Sequence, residues 1–280
     1  MIAVLGGLGA ACSWAGAMLC ASRATKLIGP PAVLAWVMLT GLVVVAPLAA
    51  ARGVPEELGS RELGWLALAG AGNVAGLLCS YAALRVGKVS IVGPISSTEG
   101  AIAALLAVAA GETIGAGVGA TLGLVVVGVV LAGIAPGGGS GDPLRATVLA
   151  CGAAVCFGVS LYSTGRVSEV LPIVWAIIPA RVVGVVVVAL PLLVTQRIRI
   201  TRAALPLVVV SGLCEIAGFA SYAVGSRHGI AVAAVLASQF AAVAAVAAYV
   251  LFHERLTRLQ LSGVITIAVG VAALTALQAA

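Results

Sequence analysis

What most constrains this chain is that its apolar residues run almost without a break. Ten hydrophobic stretches can be marked, at 3–21, 32–50, 64–84, 89–110, 115–134, 145–163, 172–194, 204–224, 230–251 and 260–278. A hydrocarbon layer about 30 Å thick is crossed by roughly 20 apolar residues in an α-helix. Ten crossings therefore use roughly 200 residues of the 280 present and leave only short connections. Charged residues make up 9% of the chain and the mean hydropathy is +1.23, whereas soluble domains carry about 25% charge. There is too little polar surface to meet water. Membrane strands would need alternating polar and apolar residues, and the runs here are continuous. The expected fold class is all-α: a polytopic membrane protein of ten transmembrane helices in two inverted five-helix repeats.

The repeats are read from internal similarity. Ser80-Tyr81-Ala82 matches Ser221-Tyr222-Ala223, and Pro31 matches Pro172 at the start of the second and seventh spans. Ala46-Pro47-Leu48 matches Leu190-Pro191-Leu192, and Glu112 and Gly128 match Glu254 and Gly270. These pairs keep their order at an offset of about 141–144 residues, which chance rarely gives. The segment 136–143, PGGGSGDP, is the expected linker between a first repeat at 1–135 and a second at 144–280. Five spans is an odd number, so the second repeat enters the membrane from the opposite side. Inverted repeats of this kind are associated with alternating access around a midplane site.

The formal charge of +6 does not mark a nucleic-acid surface, because the basic residues stand singly between apolar segments and aromatics are few. On the side of the first loop lie Arg23, Lys26, Arg85, Lys88, Arg145, Arg197, Arg199, Arg202, Arg255 and Arg258. The other side has Arg52, Arg61, Arg166 and Arg227. Ten against four places the first-loop side in the cytoplasm and both termini outside. The start, Met1–Gly9, lacks the basic region of a signal peptide and is expected to be a retained first span. The Arg-over-Lys, Ala-rich composition points to a bacterial inner membrane. Six cysteines fall in apolar spans with no CxxC pair, so neither a disulfide framework nor a zinc site is expected. The histidines His228 and His253 form no metal-ligand pattern. The glycines at 133–141 lack the Lys-Ser/Thr ending of a phosphate-binding loop. No catalytic constellation emerges, and the chain is expected to be no enzyme and to need no cofactor.

Several of these residues resemble the ten-helix EamA-type branch of the drug/metabolite transporter superfamily. Ser13-Trp14-Ala15-Gly16 is similar to a small-residue and Trp signature in the first helix. Val89–Ser96 reads VSIVGPIS, and that span ends in Gly111-Glu112. His253-Glu254-Arg255-Leu256 with Gln260 and Gly263 looks like the family pattern GER-x-x-x-x-Q-x-x-G, with His253 in place of the first Gly. Pro172 and Arg181 keep the family's Pro-to-Arg spacing, although the first-repeat counterpart of Arg181 is Thr40. The resemblance implies export or exchange of small metabolites held between the halves. It also implies that spans 5 and 10 are peripheral, where they are candidates for a homodimer contact.

Ionisable residues within a span are costly, at about 2.5–3.5 kcal/mol near the centre. Glu99, Arg181 and Glu215 lie deep by sequence, so they are expected to face the bundle interior, a cavity or each other. Two acids and one base leave at least one Glu without this partner. Such a carboxyl is cheaper to bury protonated than charged, which makes Glu99 or Glu215 the candidate proton-coupling or cation-binding group. An ion-paired lock is the structural alternative. Pro94, five residues before Glu99 and next to Ser96, Ser97 and Thr98, frees a backbone carbonyl. Two readings stand for it: an unwound cavity-lining helix or an ordinary proline kink. Asn73, Ser97, Gln239, Trp14 and Tyr162 are candidates for neutral or aromatic substrate contacts, or equally for packing. Glu112 and Glu254, at span ends on opposite faces, read as gate or turn residues.

Together these readings predict a secondary transporter in which the halves rock about a central site. Its expected partners are membrane lipid, protons and a small substrate, cationic or zwitterionic because of Glu99 and Glu215. A ligand-binding membrane sensor or assembly factor without net flux is the alternative.

Overall fold

The computed structural model describes residues 1–86, 92, 95–133, 143–243, 246–247 and 258–279. Pro94, Glu254 and the linker up to Asp142 lie outside the described residues. The helices are α1 (Ile2–Ile28), α2 (Pro30–Arg52), α3 (Ser60–Val86), α4 (Glu99–Ala109) and α5 (Ala116–Gly133) in the first half. The second half has α6 (Pro143–Val170), α7 (Ile173–Val194), α8 (Ala204–Ser226), α9 (Ile230–Ala237) and α10 (Arg258–Ala279). Six of these, α1–α3 and α6–α8, are long and apolar enough to cross a membrane. The other four contribute shorter apolar helices among the described residues. The chain is a multi-pass membrane protein with ten helices in two inverted five-helix repeats.

The packing makes the repeat visible. The most extensive contacts are α1 with α8 and α3 with α6, and exchanging the halves turns each into the other. The same exchange interconverts α1–α9 with α4–α6 and α2–α8 with α3–α7. It maps α2–α7, α4–α9 and α5–α10 onto themselves. With little hydrophobic drive between helices in lipid, such contacts depend on small residues that let backbones meet. A Cβ at Gly6 of α1 would lie 2.5 Å from the Cα of Gly225 in α8. At the α5–α10 crossing, a Cβ at Gly128 would lie 2.8 Å from Ile267, and one at Gly270 2.6 Å from Val125. The repeat-matched glycines thus hold equivalent positions in one symmetric crossing. α5 packs mainly on α10 and lies outside the α1–α8 and α3–α6 pairs.

Both fourth spans of the repeats are interrupted. Residues 97–98 form a turn immediately before α4, and residues 238–239 a turn immediately after α9. In each turn a hydroxyl bonds back to a carbonyl three residues earlier: Thr98 Oγ1 to Ile95 at 2.7 Å and Ser238 Oγ to Val235 at 2.8 Å. Such local bonds compete with the helical ladder. The turns fall 141 residues apart in sequence and meet in space, since a Cβ at Gly100 would lie 2.6 Å from the Ser238 hydroxyl oxygen. Broken helices crossing in this way put irregular, polar backbone at the middle of the bundle, where it is shielded from lipid.

Candidate functional site

Just past the first break stands Glu99, the opening residue of α4, with 5% of its surface exposed. Among the described residues its carboxyl makes no hydrogen bond or salt bridge, and it lies within electrostatic reach of Glu215. Glu215 comes from α8 and pairs with Arg181 of α7, Nη2 to Oε2 at 3.4 Å. Arg181 is fully buried, while the Glu215 side chain keeps 15% of its surface accessible. The three ionisable residues expected in mid-membrane are therefore brought together, and the ion pair goes to Glu215.

Arg181 is accommodated rather than saturated. A Cβ at Gly41 of α2 would lie 2.6 Å from its Cδ, so only glycine leaves room for the aliphatic stem. Its Nη1 lies 3.5 Å from the Met38 sulfur, and its Cζ sits 5.4 Å from the centre of the Phe219 ring. Its Nε has no hydrogen-bond partner among the described residues. Immediately beyond Gly184, α7 takes a π-helical turn at Val185–Ala189, a local widening that often accompanies functional sites. Trp14 of α1 stacks edge-on against Phe219 at 5.2 Å and lies 6.3 Å from the ring of Tyr222. Its indole nitrogen is buried without a hydrogen-bond partner among the described residues and rests against Gly218, where any Cβ would collide with it.

The remaining candidates divide. Ser97 is buried in the first break. Gln239 is buried in the second with its Nε2 unpartnered among the described residues, beside an apolar groove of about 440 Å³ formed with α10. Asn73 is buried on α3 with its Oδ1 unpartnered among the described residues. Tyr162 stacks edge-on against Trp65 at 5.6 Å, away from the ion pair, near the face that carries the N-terminus.

That face holds a second, polar cavity of about 340 Å³, lined by Glu112, Tyr162, Arg166, Glu169, Ser226 and Arg227 among others. Every charge in it is engaged. Glu112 accepts from the backbone N–H groups of Ile230 and Ala231 at 3.2 Å, capping α9 as a carboxylate at a helix start does. Arg166 pairs with Glu169 at 3.0 Å. Arg227 donates to the carbonyls of Ser168 and, at 2.8 Å, Leu171. Trp175 and Trp36 donate their indole N–H to the carbonyls of Gly53 and Arg199.

Phe219, Tyr222, Tyr81 and Gly218 were not singled out as site residues from the sequence. The signal for the tyrosines was present, because both sit in the matched Ser-Tyr-Ala triplets. Tyr222 lies within electrostatic reach of both Glu99 and Glu112, and Tyr81 of both Glu215 and Arg181.

Residues 1–134, the first repeat, match the model of the EamA-like transporter family. Over that span the chain is similar to the EamA-like transporter family, part of the drug/metabolite transporter superfamily. No curated protein matches the chain. Among solved structures, one crystal structure described only as that of a protein superposes with a TM-score of 0.80. It is 19% identical, and the match covers 98% of this chain and 96% of that one. At that identity the likeness speaks for the fold. The EamA-like match supports a membrane transporter of the drug/metabolite type, acting on small molecules, and EamA-like proteins are transporters rather than enzymes.

Proposed function

We propose that this EamA-like protein is a secondary transporter that exports or exchanges a small metabolite or drug-like molecule by alternating access, with protons as the coupling ion. The repeats at 1–135 and 144–280 are the halves that rock about the crossing of α4 and α9. The chain resides in a bacterial inner membrane with both termini outside.

The observation that carries the reading is the unequal treatment of the two central acids. Glu215 has Arg181, whereas Glu99 is buried near the same ion pair with no hydrogen-bond or salt-bridge partner among the described residues. An unpaired carboxylate in so apolar a place is costly. The cost is removed by a proton or by a cationic group of the substrate, and competition between them couples the two fluxes. Arg181, with its Nε unpartnered among the described residues, is the group to meet an anionic part of the same molecule, and the face of Trp14 supplies aromatic surface. Cationic and zwitterionic compounds are thus the favoured class.

The test is proton movement in proteoliposomes holding an internal pH dye, challenged with pools of cationic, zwitterionic and neutral metabolites. A pool-specific signal that Glu99→Gln abolishes is expected. A signal of wild-type size from Glu99→Gln would remove Glu99 from the coupling step.

A further inference from the structure

The two halves are matched in sequence and in most contacts, but not in one pair of neighbours. α6 and α8 pack together in the second half, whereas their counterparts α1 and α3 have no comparable contact among the described residues. Three hydrogen bonds join α6 to α8 and the segments that follow them toward the N-terminal face. Two come from Arg227, and the deepest is from the fully buried Tyr222 hydroxyl to the Leu161 carbonyl at 2.8 Å. Tyr81, which holds the position of Tyr222 in the first repeat, is only half-buried, and its hydroxyl makes no hydrogen bond among the described residues. One tyrosine is docked and its counterpart is undocked.

We infer that Tyr222 and Tyr81 are reciprocal latches on opposite sides of the Glu99–Arg181–Glu215 cluster, docked one at a time. In this structure Tyr222 holds α6 against α8 and shuts the N-terminal face. In the opposite state Tyr222 lets go and Tyr81 docks onto α1, closing the other face. The 141-residue register that relates Tyr81 to Tyr222 relates Leu161 to Cys20, so the acceptor in that state is the Cys20 carbonyl. Both tyrosines stand beside the central acids, Tyr222 within electrostatic reach of Glu99 and Tyr81 of Glu215. Each latch therefore sits where charge on the bound ligand or on the acids can be felt. The inference rests on the alternating-access reading but not on proton coupling or on any substrate.

The experiment uses spin-label distances in a cysteine-free, reconstituted full-length chain. One pair, Glu169→Cys with Val224→Cys, reports α6–α8 at the N-terminal face. The other, Ser22→Cys with Leu78→Cys, reports α1–α3. One net hydrogen bond shifts a two-state ratio by about threefold to tenfold. Tyr222→Phe is expected to lengthen the first distance and shorten the second by a population change of that size. Tyr81→Phe is expected to do the reverse. Placed on the Tyr222→Phe background, it restores the wild-type distributions. A hydroxyl that only stabilises the fold would not give opposite shifts that cancel. The inference is overturned if both variants move the populations the same way, if neither moves them, or if the double variant fails to restore them. Transport with wild-type proton coupling alongside such a result would leave the proposed function standing and remove only the latches.

Discussion

Two glutamates at the ends of one short helix have opposite surroundings. Glu112, just past the end of α4, is held by two backbone N–H groups at the start of α9. Glu99, at the beginning of α4, is buried with neither a hydrogen bond nor a salt bridge among the described residues. A carboxylate whose oxygens are satisfied by backbone donors fixes a helix. One that is buried unpaired is held at a cost that a proton or a cation relieves. Residue type alone does not separate a structural acid from a working one; the donors around it do.

That contrast can be broken in several places, the largest effect being on coupling. Glu99→Gln should abolish substrate-dependent proton movement while leaving the melting temperature in detergent unchanged or raised, because a costly buried charge has gone. A large loss of stability would show instead that Glu99 is a fold-holding acid. Next in size is the ion pair. Arg181→Met leaves Glu215 without its partner, and breaking a buried pair costs about 3–5 kcal/mol; the accessible edge of Glu215 puts the expectation near the lower end. Thermal unfolding of Arg181→Met and of Arg181→Met/Glu215→Leu reads this, with the double variant recovering most of the loss. Glu112→Gln should cost about 1 kcal/mol through the weakened cap of α9 and leave the pH dependence of transport as in the wild type. The smallest effect belongs to the half-exposed Arg166–Glu169 pair, where Glu169→Gln should change stability by less than about 0.5 kcal/mol.

Much of the architecture could be read from the chain because membrane helices announce themselves by length and continuity. Each of the ten marked stretches contains a helix among the described residues, and the Ser-Tyr-Ala and Glu and Gly matches located the repeat. The charged centre was legible for the same reason: Glu99, Arg181 and Glu215 are conspicuous in apolar surroundings, and a membrane leaves them few places to go. Which acid takes the arginine was not legible. It depends on α8 presenting Glu215 to α7 while α4 begins at a break, a matter of helix rotation and crossing that sequence spacing does not encode. The paired breaks were half visible, since Ser97 and Thr98 drew attention through Pro94, but no proline precedes Ser238-Gln239 by the same interval. The role of Gly41 and Gly218 was hidden altogether. A glycine in a membrane span reads as generic small-residue packing until the side chain it makes room for, Arg181 or Trp14, is seen against it.

The most direct measurement is the protonated-carboxyl infrared band of the reconstituted protein followed through a pH titration, with wild type, Glu99→Gln and Glu112→Gln compared. The expected result is one component of the titrating band that is present in the wild type and in Glu112→Gln and missing from Glu99→Gln. A Glu99→Gln spectrum that loses no component of the wild-type band would contradict it, because the proton carried through the membrane would then sit on another group.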